Sequence, residues 1–247
     1  MNGEKKTLLM VVIAACYLAF LCSGAWAWQA NINGTFGSGA DVANAVAVDG
    51  VGNVVAAGFT TNTGTGFDFT VIKFNGSSSA VLWSQAINGT ANGSDQAFAV
   101  AVDGVGNVVA AGRTTDTGTI ADFTVIKFDG TSGVELWRQV INGPVLFADF
   151  AFAVAVDGVG NVVAAGSTTN TGTAGTGPDF TVIKFDGTSG VELWRQAIDG
   201  TANDFDEARA VAVDGAGNVV AAGFTTNTGT FEDFTVIKLR GIDGGDF

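Results

Sequence analysis

The stretch AVAVDGVGNVVAAG, Ala45–Gly58, decides the architecture. The same fourteen residues return at Ala99–Gly112 and Ala153–Gly166, and as AVAVDGAGNVVAAG at Ala210–Gly223. Self-similarity at a period near fifty residues marks stacked supersecondary units. Asp49, Asp103, Asp157 and Asp214 register the unit at spacings of 54, 54 and 57 residues. The three extra residues fall in TGTAGTGP (Thr171–Pro178), a loop, where added length costs little.

Each unit holds four short apolar segments. In the first copy they are Ala45–Val48, Asn53–Gly58, Asp68–Phe74 and Val81–Ile87. They are rich in Val, Ile, Phe and Thr and bounded by Gly, Asn, Asp or Ser, which predicts strands. No 3.6-residue amphipathic pattern runs through residues 28–247. The first two segments are apolar on both faces, so their sheet must be covered on both sides. DGVGN between them predicts a tight hairpin, with Gly50 and Gly52 supplying positive φ. Four strands per unit of this length is the pattern of a β-propeller blade. The fold expected is therefore all-β, a β-propeller of four four-stranded blades in residues 28–247. WQANING at Trp28–Gly34 parallels WSQAING at Trp83–Gly89, a fourth strand, while the last copy stops after its third, Asp233–Leu239. The ring is predicted to close by Trp28–Ile32 pairing with the last blade, which removes the open edges.

Residues 1–27 read as an address. Lys5 and Lys6 precede an apolar run, and Ala25 and Ala27 form an A-x-A end. That is the pattern of a secretory signal, with cleavage expected after Ala27 and no membrane span in the mature chain. IAAC at Ile13–Cys16 is an alternative lipidation signal, anchoring the chain at Cys16. Either route predicts a secreted or extracytoplasmic protein. The net charge is −13, which argues against nucleic acid as a partner. There is no His, and the only cysteines, Cys16 and Cys22, lie in the leader. The commonest general base, zinc ligands and thiol nucleophiles are thus missing from residues 28–247.

The unit LW…NG…AVAVDGVGNVVAAG…DFTVIKF resembles the bacterial SBBP β-propeller repeat. The family's D-x-x-G-N turn, V-x-x-G strand and D-F/Y-x-x-x-K strand are matched at Asp49, Gly52, Asn53, Gly58, Asp68 and Lys73 and in each later copy. The resemblance implies an extracytoplasmic propeller and says little of activity. The family name implies seven blades where this chain has four, which leaves a small ring, self-association into a larger propeller, or a piece of a longer one. DGTSGVELWR, at Asp129–Arg138 and Asp186–Arg195, is similar to the tryptophan-docking motif of quinoprotein propellers. That likeness implies that Trp137 and Trp194, and by position Trp83, pack between neighbouring blades.

The D-G-x-G-N loops offer hard oxygen ligands, so Asp49, Asn53, Asp103, Asn107, Asp157, Asn161, Asp214 and Asn218 are candidate calcium ligands. Each loop supplies one carboxylate, and a plain hairpin turn explains the same residues. Lys73, Lys127, Lys184 and Lys238 recur inside apolar strands, as do Asp68, Asp122, Asp179 and Asp233 at strand starts. Buried charges need partners, so ion pairs within or between blades are expected, with a charged central channel as the alternative. NDFDEAR (Asn203–Arg209) is the densest acidic cluster and reads as a solvated loop rather than a catalytic pair. Formal glycosylation sequons stand at Asn33, Asn75, Asn88 and Asn92. No catalytic residue or cofactor site is identified, and a non-enzymatic scaffold is expected. It would bind a protein or glycan through variable loops such as TNTGTGF and TDTGTIA. The alternatives are a calcium- or carbohydrate-binding lectin-like module and a piece of a larger propeller enzyme.

Overall fold

The predicted segments fold as strands. A computed structural model describes residues 28–143, 147–169 and 177–246, and their regular structure is entirely β. The signal and lipidation readings in residues 1–27 lie outside these, as does most of the Thr171–Pro178 loop. The chain divides into two units, Met1–Ala30 and Asn31–Phe247, and the second holds every strand.

Sheet 1 contains β1 (Val42–Val48), β2 (Val54–Asn62), β3 (Gly66–Phe74) and β4 (Val81–Ile87), in that spatial order. Sheet 2 repeats it with β5 (Gln96–Val102), β6 (Val108–Thr114), β7 (Asp122–Phe128) and β8 (Glu135–Ile141). Sheet 3 contains β9 (Phe150–Val156), β10 (Val162–Thr168), β11 (Asp179–Phe185) and β12 (Glu192–Ile198). Sheet 4 has three strands, β13 (Glu207–Val213), β14 (Val219–Asn227) and β15 (Phe231–Leu239). All pairings between these strands are antiparallel.

Sheet 1 packs on sheet 2, sheet 2 on sheet 3, and sheet 3 on sheet 4. The first strands of successive sheets approach one another, which places β1, β5, β9 and β13 along the inner side. Three apolar cores fill the three gaps. Val55, Ala57, Phe69, Val71 and Trp83 of sheet 1 meet Ala97, Val108, Ala110, Ile126 and Phe128 of sheet 2. Equivalent residues build the next two cores. Fully burying one such Phe or Val contributes about 1.5–3 kcal/mol. Sheets 2 and 3 are covered on both faces, so Val108, Val109, Ala110 and Ala111 are all buried, as their two-sided apolar sequence requires. In β15 the burial alternates, because only one face is covered.

No closed ring of strands is found among the described residues. Residues 28–32 lie outside any strand, and β15 pairs along its length with β14 alone. Its outer edge carries one isolated bridge, Leu239 to Asp246. Equivalent residues in each gap give the same step from sheet to sheet.

Each gap is also latched by polar groups. The Lys127 ammonium contacts Asp103 Oδ2 at 2.8 Å within its own sheet and donates to the Gly187 carbonyl of the next sheet at 2.7 Å. Trp137 Nε1 donates to that same carbonyl at 3.2 Å. Lys73 with Trp83 treats Gly130 alike, and Lys184 with Trp194 treats Gly241 alike. The tryptophans therefore sit between neighbouring blades, as the docking motif implies. Gly190 in the receiving turn has φ 73°, and a Cβ there would meet the Trp137 ring at 2.7 Å. Of the hairpin glycines, Gly52 takes positive φ (89°) and Gly50 does not, contrary to the expectation for Gly50. Gly190→Ala should destabilise the fold by about 1–3 kcal/mol, through left-handed backbone and the displaced indole. Urea denaturation followed by tryptophan fluorescence would measure it, and an unchanged midpoint would contradict the packing described.

Candidate functional site

The hairpin carboxylates come first, because they are the candidate calcium ligands. Asp49 Oδ1 accepts the N–H groups of Val51 (3.0 Å) and Asn53 (2.8 Å). Its Oδ2 accepts from Asn53 Nδ2 at 3.0 Å and contacts Lys73 Nζ at 2.9 Å. A carboxylate has about four acceptor directions, and here all are used. Asp103 with Asn107, Asp157 with Asn161, and Asp214 with Asn218 repeat the arrangement. Burial pushes the Asp49 carboxyl up, but the Lys73 ammonium and the Asn53 and Val51 donors outweigh it and hold the group well below the usual carboxylate range. Asp103 and Asp157 move the same way for the same reasons. These eight residues together build four hairpin turns, each tied by its ion pair to a lysine of the third strand. A cleft of 910 Å³ opens at this end between sheets 3 and 4, but its Asp157 and Lys184 are engaged with each other.

A second set of repeated carboxylates stands at the opposite end. Asp95 Oδ2 accepts the Gly89 N–H and Oδ1 the Thr115 N–H, both at 2.6 Å. Asp41, Asp149 and Asp206 do the same with Gly34 and Thr61, Gly143 and Thr169, and Gly200 and Thr226. Sequence reasoning missed this series apart from Asp206, although the spacings are again 54, 54 and 57 residues. The solvated-loop reading of NDFDEAR is corrected at Asp206, which is fully buried, while Asp204 stays exposed. Burial raises the carboxyls of Asp95, Asp149 and Asp206 above the ordinary value, against the pull of their N–H donors.

In the third copy this latch gains a carboxylate. Asp199 occupies the place of Asn88 and Asn142, and its carboxylate lies with those of Asp179 and Asp206 within 4.8 Å of one another. Burial and the neighbouring Asp179 carboxylate raise the Asp199 carboxyl above the ordinary value.

The residues that differ between copies gather at the same end, on the inner strands. Each first strand has a β-bulge just before its AVAV segment. The bulged residues are Asn44, Phe98, Phe152 and Arg209, and bulges characteristically re-aim side chains. Phe98 and Phe152 stack with ring centroids 5.6 Å apart, and Phe150 stacks on Phe152 at 5.3 Å. The Arg113 guanidinium lies over Phe150 at 5.5 Å, with Nη2 bonded to Ser94 and a buried Nε that has no acceptor. Arg209 covers Phe224 at 5.1 Å. The three phenylalanines are half-buried. Phe36, Ile120, Phe147 and Phe205 stand exposed in the loops around this end, as does Phe231 at the start of β15. The arrangement is a partly open aromatic platform flanked by guanidinium groups.

Two substitutions check the electrostatics. Asp103 titrates lower in the folded chain than in the unfolded one, so its contribution is present above pH ~4 and is lost as pH falls below that value. Asp103→Asn should cost about 3 kcal/mol at pH 7 and progressively less below pH ~4, read by urea denaturation at each pH. Asp199 has the opposite sign, because its raised carboxyl penalises the folded state as pH climbs. Asp199→Asn should gain roughly 1 kcal/mol at pH 7 and nothing near pH 3, measured in EDTA. A loss at pH 7 would contradict the unfavourable crowding of Asp199 against Asp179 and Asp206.

No protein-family profile matches the sequence, and no curated protein matches it. Among solved structures, the chain is similar to quinohemoprotein alcohol dehydrogenase ADHIIG from Pseudomonas putida HK5, at 14% identity and a TM-score of 0.53. That match covers 79% of this chain and 32% of the dehydrogenase, so the chain spans about a third of that protein's length. It is similar to BamB from Moraxella catarrhalis at 15% identity and a TM-score of 0.42, over 83% of this chain and 60% of that one. The GH43 endo-arabinanase from Bacillus licheniformis matches at 10% identity and a TM-score of 0.41, over 82% and 77% of the two chains. The dehydrogenase is a β-propeller protein, and with its four antiparallel sheets in succession the chain has a β-propeller fold.

Proposed function

We propose that the protein is a secreted, non-enzymatic β-propeller scaffold of the SBBP repeat type, and that it binds an extended protein segment at the inner, loop-bearing end. The observation that carries this is where the copies differ. Within strands otherwise repeated nearly letter for letter, the bulge positions read Asn44, Phe98, Phe152 and Arg209. Those side chains are freed from the ladder and join loops that also vary. Partly exposed aromatics beside Arg are the residue types that dominate binding energy at protein interfaces. The Arg113 guanidinium, lying over Phe150, suits a carboxylate adjoining an apolar group. Export is supported by the pattern of residues 1–27.

The test pans a displayed peptide library on the wild-type protein and on Phe98→Ala/Phe152→Ala. Peptides pairing an acidic with an apolar residue should enrich on the wild type, and their affinity should fall at least roughly tenfold on the variant. No enrichment, or equal binding to both proteins, would overturn the assignment. A glycan array run alongside would overturn the choice of a peptide ligand if it alone gave binding that the variant lost.

A further inference from the structure

Backbone geometry brings two carboxylates together wherever one sheet meets the next. The Asp95 N–H donates to the Phe67 carbonyl at 2.8 Å, next to Asp68 in the chain. Asp149 bonds in the same way to Ala121, next to Asp122, at 2.8 Å, and Asp206 to Pro178, next to Asp179, at 2.9 Å. Strand register adds a third residue. Phe69 pairs with Ile87 and Phe180 with Ile198, so Asn88 comes opposite Asp68 and Asp199 opposite Asp179. The oxygens gathered there are short of donors. Asp68 and Asp122 are 5% and 0% exposed, and in each Oδ1 is buried with no hydrogen-bond partner among the described residues. The same holds for Oδ1 of Asn88 and of Asp199. Buried side-chain acceptors are normally bonded, so a surplus repeated at equivalent positions calls for a positively charged partner.

The charge is most concentrated between sheets 3 and 4. At the two earlier junctions a guanidinium stands near the carboxylates, Arg113 by Asp95 and Arg195 by Asp149. At the third, the oxygens of Asp179, Asp199 and Asp206 lie within 4.8 Å of one another. Neither Asp199 nor Asp206 enters an ion pair among the described residues. Burial raises the Asp206 carboxyl, and the charges of Asp199 and Asp179 add to the rise. Asp206 is also held in place. Its two oxygens accept the Gly200 and Thr226 N–H groups at 2.7 and 2.5 Å, which leaves each oxygen a further lone pair. Calcium holds its oxygen ligands at about 2.3–2.6 Å, so a group this tight fits around one ion.

We propose that Asp179, Asp199 and Asp206 bind one calcium ion between sheets 3 and 4. The ligand set is entirely hard oxygen, which suits calcium and not the softer transition metals. Magnesium demands near-ideal octahedral geometry and sheds water reluctantly, whereas these carboxylates are set by strand register and backbone N–H groups. Asp179 and Asp199 belong to sheet 3 and Asp206 leads into β13 of sheet 4, so the ion ties the two sheets together. Asn88 and Asn142 replace Asp199 in the earlier copies, which leaves one carboxylate fewer there and makes the third junction the strong site. The hairpin carboxylates at the opposite end are a separate series, each already neutralised by its lysine. The inference is independent of the peptide ligand proposed above.

The experiment is isothermal titration of the purified, chelator-stripped protein with calcium chloride at pH 7. The wild type should bind one ion per chain with a Kd below about 1 mM. Asp199→Asn restores the residue of the other copies, so its circular dichroism spectrum should not change, while its calcium affinity should fall at least roughly tenfold with the loss of one carboxylate. Magnesium should bind the wild type at least roughly tenfold more weakly than calcium. Urea denaturation gives a second reading. Millimolar calcium should raise the midpoint of the wild type and leave that of Asp199→Asn where it stands in EDTA. Absence of calcium binding up to several millimolar would overturn the proposal. So would calcium binding that Asp199→Asn retains in full, or magnesium binding as tight as calcium.

Discussion

In each of the first three sheets, one lysine serves two sheets at once. Lys127 neutralises Asp103 of its own sheet, and its remaining N–H reaches a glycine carbonyl of the next sheet, which also receives an indole N–H from Trp137. An ammonium buried in an apolar gap is tolerable only when its charge is paired and its donors are used. The requirement fixes three things together: the hairpin that presents Asp103, the strand that carries Lys127, and the distance and tilt of the following sheet. The apolar cores supply most of the favourable free energy, but they are non-directional. The lysine and tryptophan give the step from sheet to sheet its geometry, and the repeated sequence then gives every step the same geometry.

The strands, the turns and the docking tryptophans were legible because their signals are local. Two-sided apolar runs, D-G-x-G-N and D-G-T-S-G each fix backbone within a few residues. Ring closure was not legible, although WQANING resembles a fourth strand. Closure depends on rotation summed over several interfaces, and no short stretch encodes a sum. The Asp41, Asp95, Asp149 and Asp206 series escaped for a related reason. Its N–H partners lie 6 and 20 residues away in sequence or slightly more, so each Asp looks like one more polar loop residue. Its period of 54 to 57 residues was the available signal, and it was masked by the variable residues around it. The carboxylate trio depends on a single departure, Asp199 in place of Asn, which becomes visible only when the copies are aligned as equivalent positions in space.

The bulge explains how a repeated scaffold can carry a site that does not repeat. A residue inside the ladder of a blade faces one neighbouring sheet or the other, and any change of volume there is felt in a close-packed gap. The bulged residue is released from that alternation. Asn44, Phe98, Phe152 and Arg209 differ in size, charge and polarity, yet the residues on either side of them keep the same register in all four sheets. Variation has accumulated where the fold is indifferent to it, and those positions share one end with the loops.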